Sequence, residues 1–227
     1  MPRDTLDRKI HQLEDELFVL SSMVEQAILS AVETLRRQDG IAARQIFQGD
    51  RLINERRYAI ENAIIILIAT QQPAARDLRR MTAMLEIINE LERIGDYAKG
   101  IAKVVILQGE ESFSIEVDAF PAMADQAVDM LQRGLKAFVA QNAQEAVLIA
   151  CEDDQVDRQY IQIHTQLIHT MIADPSKIDE ASHLMWVAHN LERMADRVTN
   201  ICERTVFIST GDIIELDQED EEEAIEV

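Results

Sequence analysis

The sequence predicts an all-α protein built as two tandem, pseudo-symmetric three-helix bundles, six long helices in all. Three observations carry that prediction. Residues 90–101, ELERIGDYAKGI, and residues 190–201, NLERMADRVTNI, share five of twelve positions at a spacing of one hundred. A repeat of that length is one supersecondary unit used twice. Glycine (7) and proline (4) are scarce among 227 residues and aromatics make up 4%, a composition poor in turn and β-forming residues. Finally, Leu6, Ile10, Leu13, Leu17, Leu20, Val24, Ala27, Ala31 and Leu35 recur at steps of three and four, the stripe of a helix packed against its neighbours.

That stripe is the first helix, and Asp39-Gly40 ends it, glycine being suited to a left-handed C-terminal cap. A second helix covers about 41–70. Pro73 opens the third, about 73–107, because the N–H that proline lacks would have no partner in a first turn. Residues 108–114, QGEESFS, have no period and carry turn residues, which places the boundary between a first bundle (1–110) and a second (111–211). The pattern then repeats. Helix four covers about 117–140, Gln141-Asn142 turns, helix five covers about 143–172, and Asp174-Pro175-Ser176 leads into helix six, about 177–209. A second echo, Gly49–Asn54 against Glu152–Asp157 at a spacing of 103, sets the middle helices of the two bundles in register.

Charge and cysteine usage narrow the function. The net charge is −20, and residues 212–227 hold nine acids and no base, which leaves 33 acids against 22 bases in the body. An acidic body excludes direct nucleic-acid binding, which needs basic patches against phosphate. The tail 212–227 is expected to be a solvated, disordered acidic segment. Cys151 and Cys202 make no metal-type pair; small buried free thiols are expected rather than a disulfide. The N-terminus is too charged for a signal peptide. The longest strongly apolar run, Ala63–Ala69, falls well short of the ~20 residues that span a bilayer. A soluble, cytoplasmic protein is the expectation.

The residues with chemistry are acids at helical spacing. Glu92 and Asp96, and Glu192 and Asp196, are i,i+4 pairs that project from one helix face. Leu78, Met81, Leu85 and Ile88 lie within about 60° of the first pair, so these carboxylates continue an apolar edge. Asp50 with Asn54, and Asp153 with Asp157, supply matching pairs on the preceding helices. Neighbouring carboxylates at a packed edge repel and need a compensating charge. That charge is either an arginine network (Arg57, Arg93, Arg158, Arg193) or a metal ion. Oxygen-only ligands suit hard cations such as Mg²⁺, Ca²⁺, Mn²⁺ or iron rather than a thiolate-type zinc site. Asp153, Asp157, Glu192 and Asp196 are expected to converge in one groove, since antiparallel helices ~8–10 Å apart bring such pairs within reach of one cation. Failing metal, Arg158, Arg193 or Arg197 should fold over that groove.

Glu90–Asp96, the upstream QPAARDLR at 72–79, and LERMADR at 191–197 resemble the PhoU family, over about residues 5–209. The resemblance implies the two-bundle fold and a cytoplasmic, non-enzymatic negative regulator of phosphate uptake and of the phosphate-starvation response. It implies partners as well: the ATPase of a phosphate ABC transporter and a sensor histidine kinase. Membrane association would then come only through those partners, and a homodimer is expected. Some relatives hold metal clusters on the acid pairs, a role that would fall here on Asp50, Asn54, Glu92 and Asp96, and on Asp153, Asp157, Glu192, Asp196 and Asn200. Magnesium, calcium, manganese, iron and zinc are not distinguished. Met194-Ala195 departs from the commoner Ile-Gly, and Gly100 stands where the second half has Asn200. Lys99, close to the first acid face, is able to replace a cation outright.

Two rival functions stand beside this one. A carboxylate-bridged di-iron enzyme needs a Glu-x-x-His pair on each of two helices, and the chain has one, Glu180 with His183, away from the acid pairs. His189, three residues before Glu192, is expected to be a packing or solvated histidine. No phosphate-binding glycine loop or nucleophile elbow is present in the sequence. The other rival is a helical scaffold, metal-binding or not, without a phosphate-signalling role.

Overall fold

The computed structural model describes residues 3–109 and 113–216. Among the described residues seven α-helices follow one another: α1 (Arg3–Arg37), α2 (Gly40–Gln71), α3 (Ala75–Gln108), α4 (Ala119–Ala140), α5 (Ala143–Ala150), α6 (Asp153–Ala173) and α7 (Ile178–Thr210), with a 3₁₀ turn at Pro175–Lys177 before α7. No strand occurs among the described residues. The stripe of α1 forms its buried face, with Leu17, Leu20, Val24, Ala31 and Leu35 fully enclosed. By length and composition α1 could cross a membrane, but 44% of its apolar window is buried, and it packs on α2, α3 and α4. Its hydropathy is that of a core helix.

Three local expectations are corrected. Gly40 is not the cap of α1: Gln38 takes the left-handed conformation (φ 56°), and Gly40 begins α2. Asp39 caps α2 instead, its Oδ1 accepting from the N–H groups of Ile41 and Ala42 at 3.0 Å. Gln72 and Gln141 repeat the left-handed ending at α2 and α4 (φ 46° and 54°). Pro73 lies ahead of α3, whose N-cap is Ala74. The predicted fifth helix is broken at Cys151-Glu152 into α5 and α6. At the break the hydrogen bonds tighten, with Glu152 N–H donating to Ile149 O and Gln155 N–H to Glu152 O. Arg133 of α4 reaches Glu145 of α5 at 3.3 Å and Glu152, within the break, at 2.8 Å. The two cysteines are free, Cys202 buried as expected but Cys151 exposed at the break.

Helices α1, α2 and α3 pack together, as do α4, α5, α6 and α7; α3 on α7 and α1 on α4 join the two sets over one continuous hydrophobic core. Across the α3–α7 contact the internal two-fold relation is visible residue by residue. Asn200 of α7 donates to Glu90 of α3 at 3.2 Å. Its counterpart pair, one hundred residues exchanged, is Gly100 of α3 against Asn190 of α7. A Cβ at Gly100 would lie 3.1 Å from Asn190 Nδ2, so glycine is what lets the amide sit there. Glu180, the acid of the lone Glu-x-x-His, is occupied in holding the connection between halves: it accepts from Ser114 Oγ and Ile115 N–H, both at 2.8 Å. Phe113, Ile115 and Val117 of that connection are buried. Of the predicted acidic tail, residues 217–227 lie outside the described residues, as do 110–112 of the predicted boundary.

Candidate functional site

The first acid cluster lies between α2 and α3. Asp50 is 6% exposed, and its Oδ2 accepts from Lys99 Nζ at 2.7 Å and from Asn54 Nδ2 at 3.3 Å. Lys99 also stands 3.6 Å from Asp96, so one ammonium serves both carboxylates. The Asp50 bond holds the Lys99 pKa above the ordinary lysine value. Asn54 faces Asp50 as a donor. Glu92 is pushed above the ordinary carboxylate value, by burial first and then by Asp96 and Asp50, with Arg57 opposing. Arg57 itself is held by Glu61 (3.1 Å) and Asn89 (2.9 Å).

The second cluster lies between α6 and α7 and has no lysine: position 199 is a buried threonine. Glu192 is pushed up to about 7, by burial and then by the negative charges of Asp196 and Asp157, against the pull of Arg193 and Arg197. His189 Nδ1 stands 3.2 Å from Glu192 Oε2. Asp196 is raised too, by burial, although Arg193 Nη1 lies 2.8 Å from its Oδ2. Asp153 is buried nearer the α4 side, where with Glu203 and Glu152 it helps raise the Cys202 thiol to about 12, burial being the larger cause. Cys202 is therefore an inert packing thiol.

The structure divides the predicted ligands. Asp50 and Asp96 share Lys99, and Asn54 donates to Asp50. Glu192, Asp157 and Asp196 are near enough to perturb one another. Asn200 belongs to neither set, because its amide crosses to Glu90. Among the described residues no group of three or more His, Cys, Asp or Glu side chains is placed to hold a metal ion. Lys99 stands against Asp50 and Asp96 in the first cluster, and Arg193 against Asp196 in the second. Of the arginines expected over the second groove, Arg193 takes that role, while Arg197 points to Glu90 at 3.4 Å.

Glu90 is an inter-bundle acceptor, 15% exposed between Arg197 and Asn200. The signal that would have found it is its repeat partner Asn190, an amide matched to an acid. The aromatic contacts of Tyr160 with His164 (5.7 Å) and His189 (6.3 Å) join side chains from α6 and α7 that no motif connects.

Comparison with known proteins places this architecture. The family model described as the PhoU domain matches twice, at residues 17–105 and 120–205. The phosphate-specific transport system accessory protein PhoU homolog of Clostridium acetobutylicum is 35% identical over 218 residues, covering 95% of this chain and 99% of that one. The phosphate-specific transport system accessory protein PhoU of Escherichia coli (strain K12) is 31% identical over 203 residues, 89% of this chain and 84% of that one. Among solved structures, the phosphate transport system regulatory protein PhoU from Streptococcus pneumoniae superposes with a TM-score of 0.85 at 32% identity, covering 92% of this chain and 99% of that one. PhoU from Pseudomonas aeruginosa superposes with the same score at 29% identity, covering 91% and 99%. With both halves matched and nearly its whole length shared with these relatives, the chain belongs to the PhoU family.

Proposed function

We propose that this protein is a cytoplasmic, non-enzymatic regulator that restrains phosphate uptake and the phosphate-starvation response, linking a phosphate ABC transporter to a sensor histidine kinase. The observation that supports this most is end-to-end similarity to relatives named phosphate-specific transport system accessory proteins, with both PhoU domains present. The acid clusters are consistent with a non-catalytic role. Their carboxylates are engaged by Lys99, Arg193 and Asn54 rather than poised around a nucleophile. A clean deletion strain tests the proposal: phosphate-starvation genes should stay on, and uptake unrestrained, in phosphate-replete medium. Normal repression would refute it. The transporter ATPase and the kinase cytoplasmic region should each bind the purified protein, which light scattering should find as a homodimer.

Crowding at Glu192 favours one addition, cation binding at the second cluster alone. A cation there would replace the Glu192 proton and require Arg193 to leave Asp196. Calorimetric titration with Mn²⁺ or Mg²⁺ should then show uptake that Glu192→Gln removes, with proton release near neutral pH. Absence of heat at millimolar metal would leave the cluster a polar helix face.

A further inference from the structure

Where α3 ends and α7 begins, a groove of about 630 Å³ opens between the bundles, with Phe47 of α2, Lys103, Val104 and Leu107 of α3, and His183 and Trp186 of α7 on its walls. Trp186 is the chain's single tryptophan and is 55% exposed; Leu107 is 60% and Phe47 40% exposed. Scattered exposed apolar side chains need no explanation, but three lining one concavity mark a binding surface. The polar side is cationic. Two of the chain's five lysines, Lys99 and Lys103, line this groove in a protein of net charge −20. Lys99 is committed to Asp50 and Asp96, the one carboxylate in the wall. Lys103 is exposed and makes no ion pair among the described residues. On the same wall His183 Nδ1 is buried with no hydrogen-bond partner among the described residues.

The internal duplication shows what kind of chain such a place holds. Exchanging one hundred residues turns Trp186, Val104, Lys103 and Leu107 into Glu86, Arg204, Glu203 and Phe207 at the opposite end of the α3–α7 contact. There Arg204 is tied to Glu86 at 3.0 Å and to Glu203 at 3.6 Å. The chain itself returns to cover that end: Leu216 packs against the core, and its N–H donates to Glu203 Oε1 at 3.1 Å. The covered end thus receives an irregular segment, Asp212–Leu216, through a backbone hydrogen bond and one apolar side chain. At the open end the glutamate acceptor is replaced by a lysine and the ion pair by an aromatic wall.

We propose that the Trp186 groove docks an extended acidic segment of a partner protein, one large apolar side chain set against Trp186 and Leu107 and its carboxylates facing Lys103 and His183. The assignment rests on the adaptor reading only for there being a partner. The aromatic side chain would carry most of the affinity, as tryptophan does at interface hot spots. Lys103 would set selectivity and salt dependence.

Because Trp186 is the single tryptophan, its emission reports the groove directly. The probe is a blocked synthetic peptide copying residues 212–217, which combines the acids and the apolar side chains required. Added to the full-length protein, it should shift Trp186 emission to the blue with a Kd of about 1 mM or tighter. Lys103→Glu should weaken binding at least about tenfold, a coupling worth roughly 1.4 kcal/mol. The same peptide with its acids changed to lysine should not bind. No blue shift by several millimolar peptide, or equal binding by Lys103→Glu, overturns the assignment. Either failure leaves the phosphate-regulation test untouched, and normal repression in the deletion strain would leave a positive peptide result standing as a docking site of other purpose.

Discussion

The two bundles carry matched polar pairs on the same helix positions, with Asn54 in the first where the second has Asp157, and they settle their charge in different ways. In the first, Lys99 reaches back from α3 to the buried Asp50 and also to Asp96. In the second the equivalent residue is Thr199, whose buried Oγ1 has no hydrogen-bond partner among the described residues. The charge is met there by Arg193 from the outside and by a proton on Glu192, which is pushed up to about 7. Two differences between the repeats, Lys99 against Thr199 and Asn54 against Asp157, therefore separate a cluster with a fixed internal cation from one whose net charge changes near neutral pH. Between the repeats three of the four carboxylate positions are kept, while the fourth and the counter-charge differ.

The largest expected effect is on stability against pH. Glu192 binds its proton more tightly in the folded chain (about 7) than its ordinary value of 4.5 allows in the unfolded one. Between those values the native state holds more protons than the unfolded state, so stability contributed by this group is present at low pH and lost as pH rises from 4.5 through about 7. The loss is on the order of 3 kcal/mol. Urea unfolding of Glu192→Gln should be flatter across that window than wild type and more stable at pH 8. Equal slopes would place Glu192 in solvent. Next is Lys99→Thr, which copies the second half into the first. With its cation gone, Asp50 keeps only the Asn54 amide. The cost should be roughly 2 kcal/mol, below the ~3–5 typical of a fully buried pair because Lys99 is 33% exposed. An unchanged urea midpoint would show that Lys99 is decorative.

The reverse exchange, Thr199→Lys, should bring a cation to the second cluster and return the Glu192 titration toward the ordinary carboxylate range, visible as loss of its pH-dependent stability. A Glu192 that still titrates near neutrality in this variant would break the equivalence of the two sites. The smallest effect is expected of Arg193→Met. Arg193 is 39% exposed, so its removal should cost under about 1 kcal/mol while raising the proton affinity of Asp196 and Glu192.

Much of this was legible in the sequence, and the gaps have physical reasons. The α1 stripe, the hundred-residue repeat and the i,i+4 acid pairs are periodic signals, and periodicity survives translation into helices. Lys99 was recognisable as a rival to metal because it lies three residues beyond Asp96 on the same face. Asn200 was misplaced because spacing along one helix does not say which neighbour a side chain meets. It faces α3 and Glu90, a contact between halves that a repeat-by-repeat reading treats separately. The break at Cys151-Glu152 has no proline or glycine to announce it; it accompanies Arg133 of α4 pairing with Glu145 ahead of it and Glu152 within it. The left-handed endings of α1, α2 and α4 fell on Gln38, Gln72 and Gln141, where residue preference alone favours glycine; that of α7 falls on Gly211.

Site-resolved titration distinguishes most directly a first cluster countered by Lys99 from a second in which Glu192 keeps its proton up to about 7. Glutamate side-chain carboxyls labelled with carbon-13 can be followed by NMR from pH 3 to 9, with Glu92→Gln and Glu192→Gln assigning the two signals. The account predicts that Glu192 titrates with a midpoint near 7, above Glu92, and that the gap closes in Thr199→Lys. Two carboxyls titrating together in the ordinary range near 4.5 would contradict it.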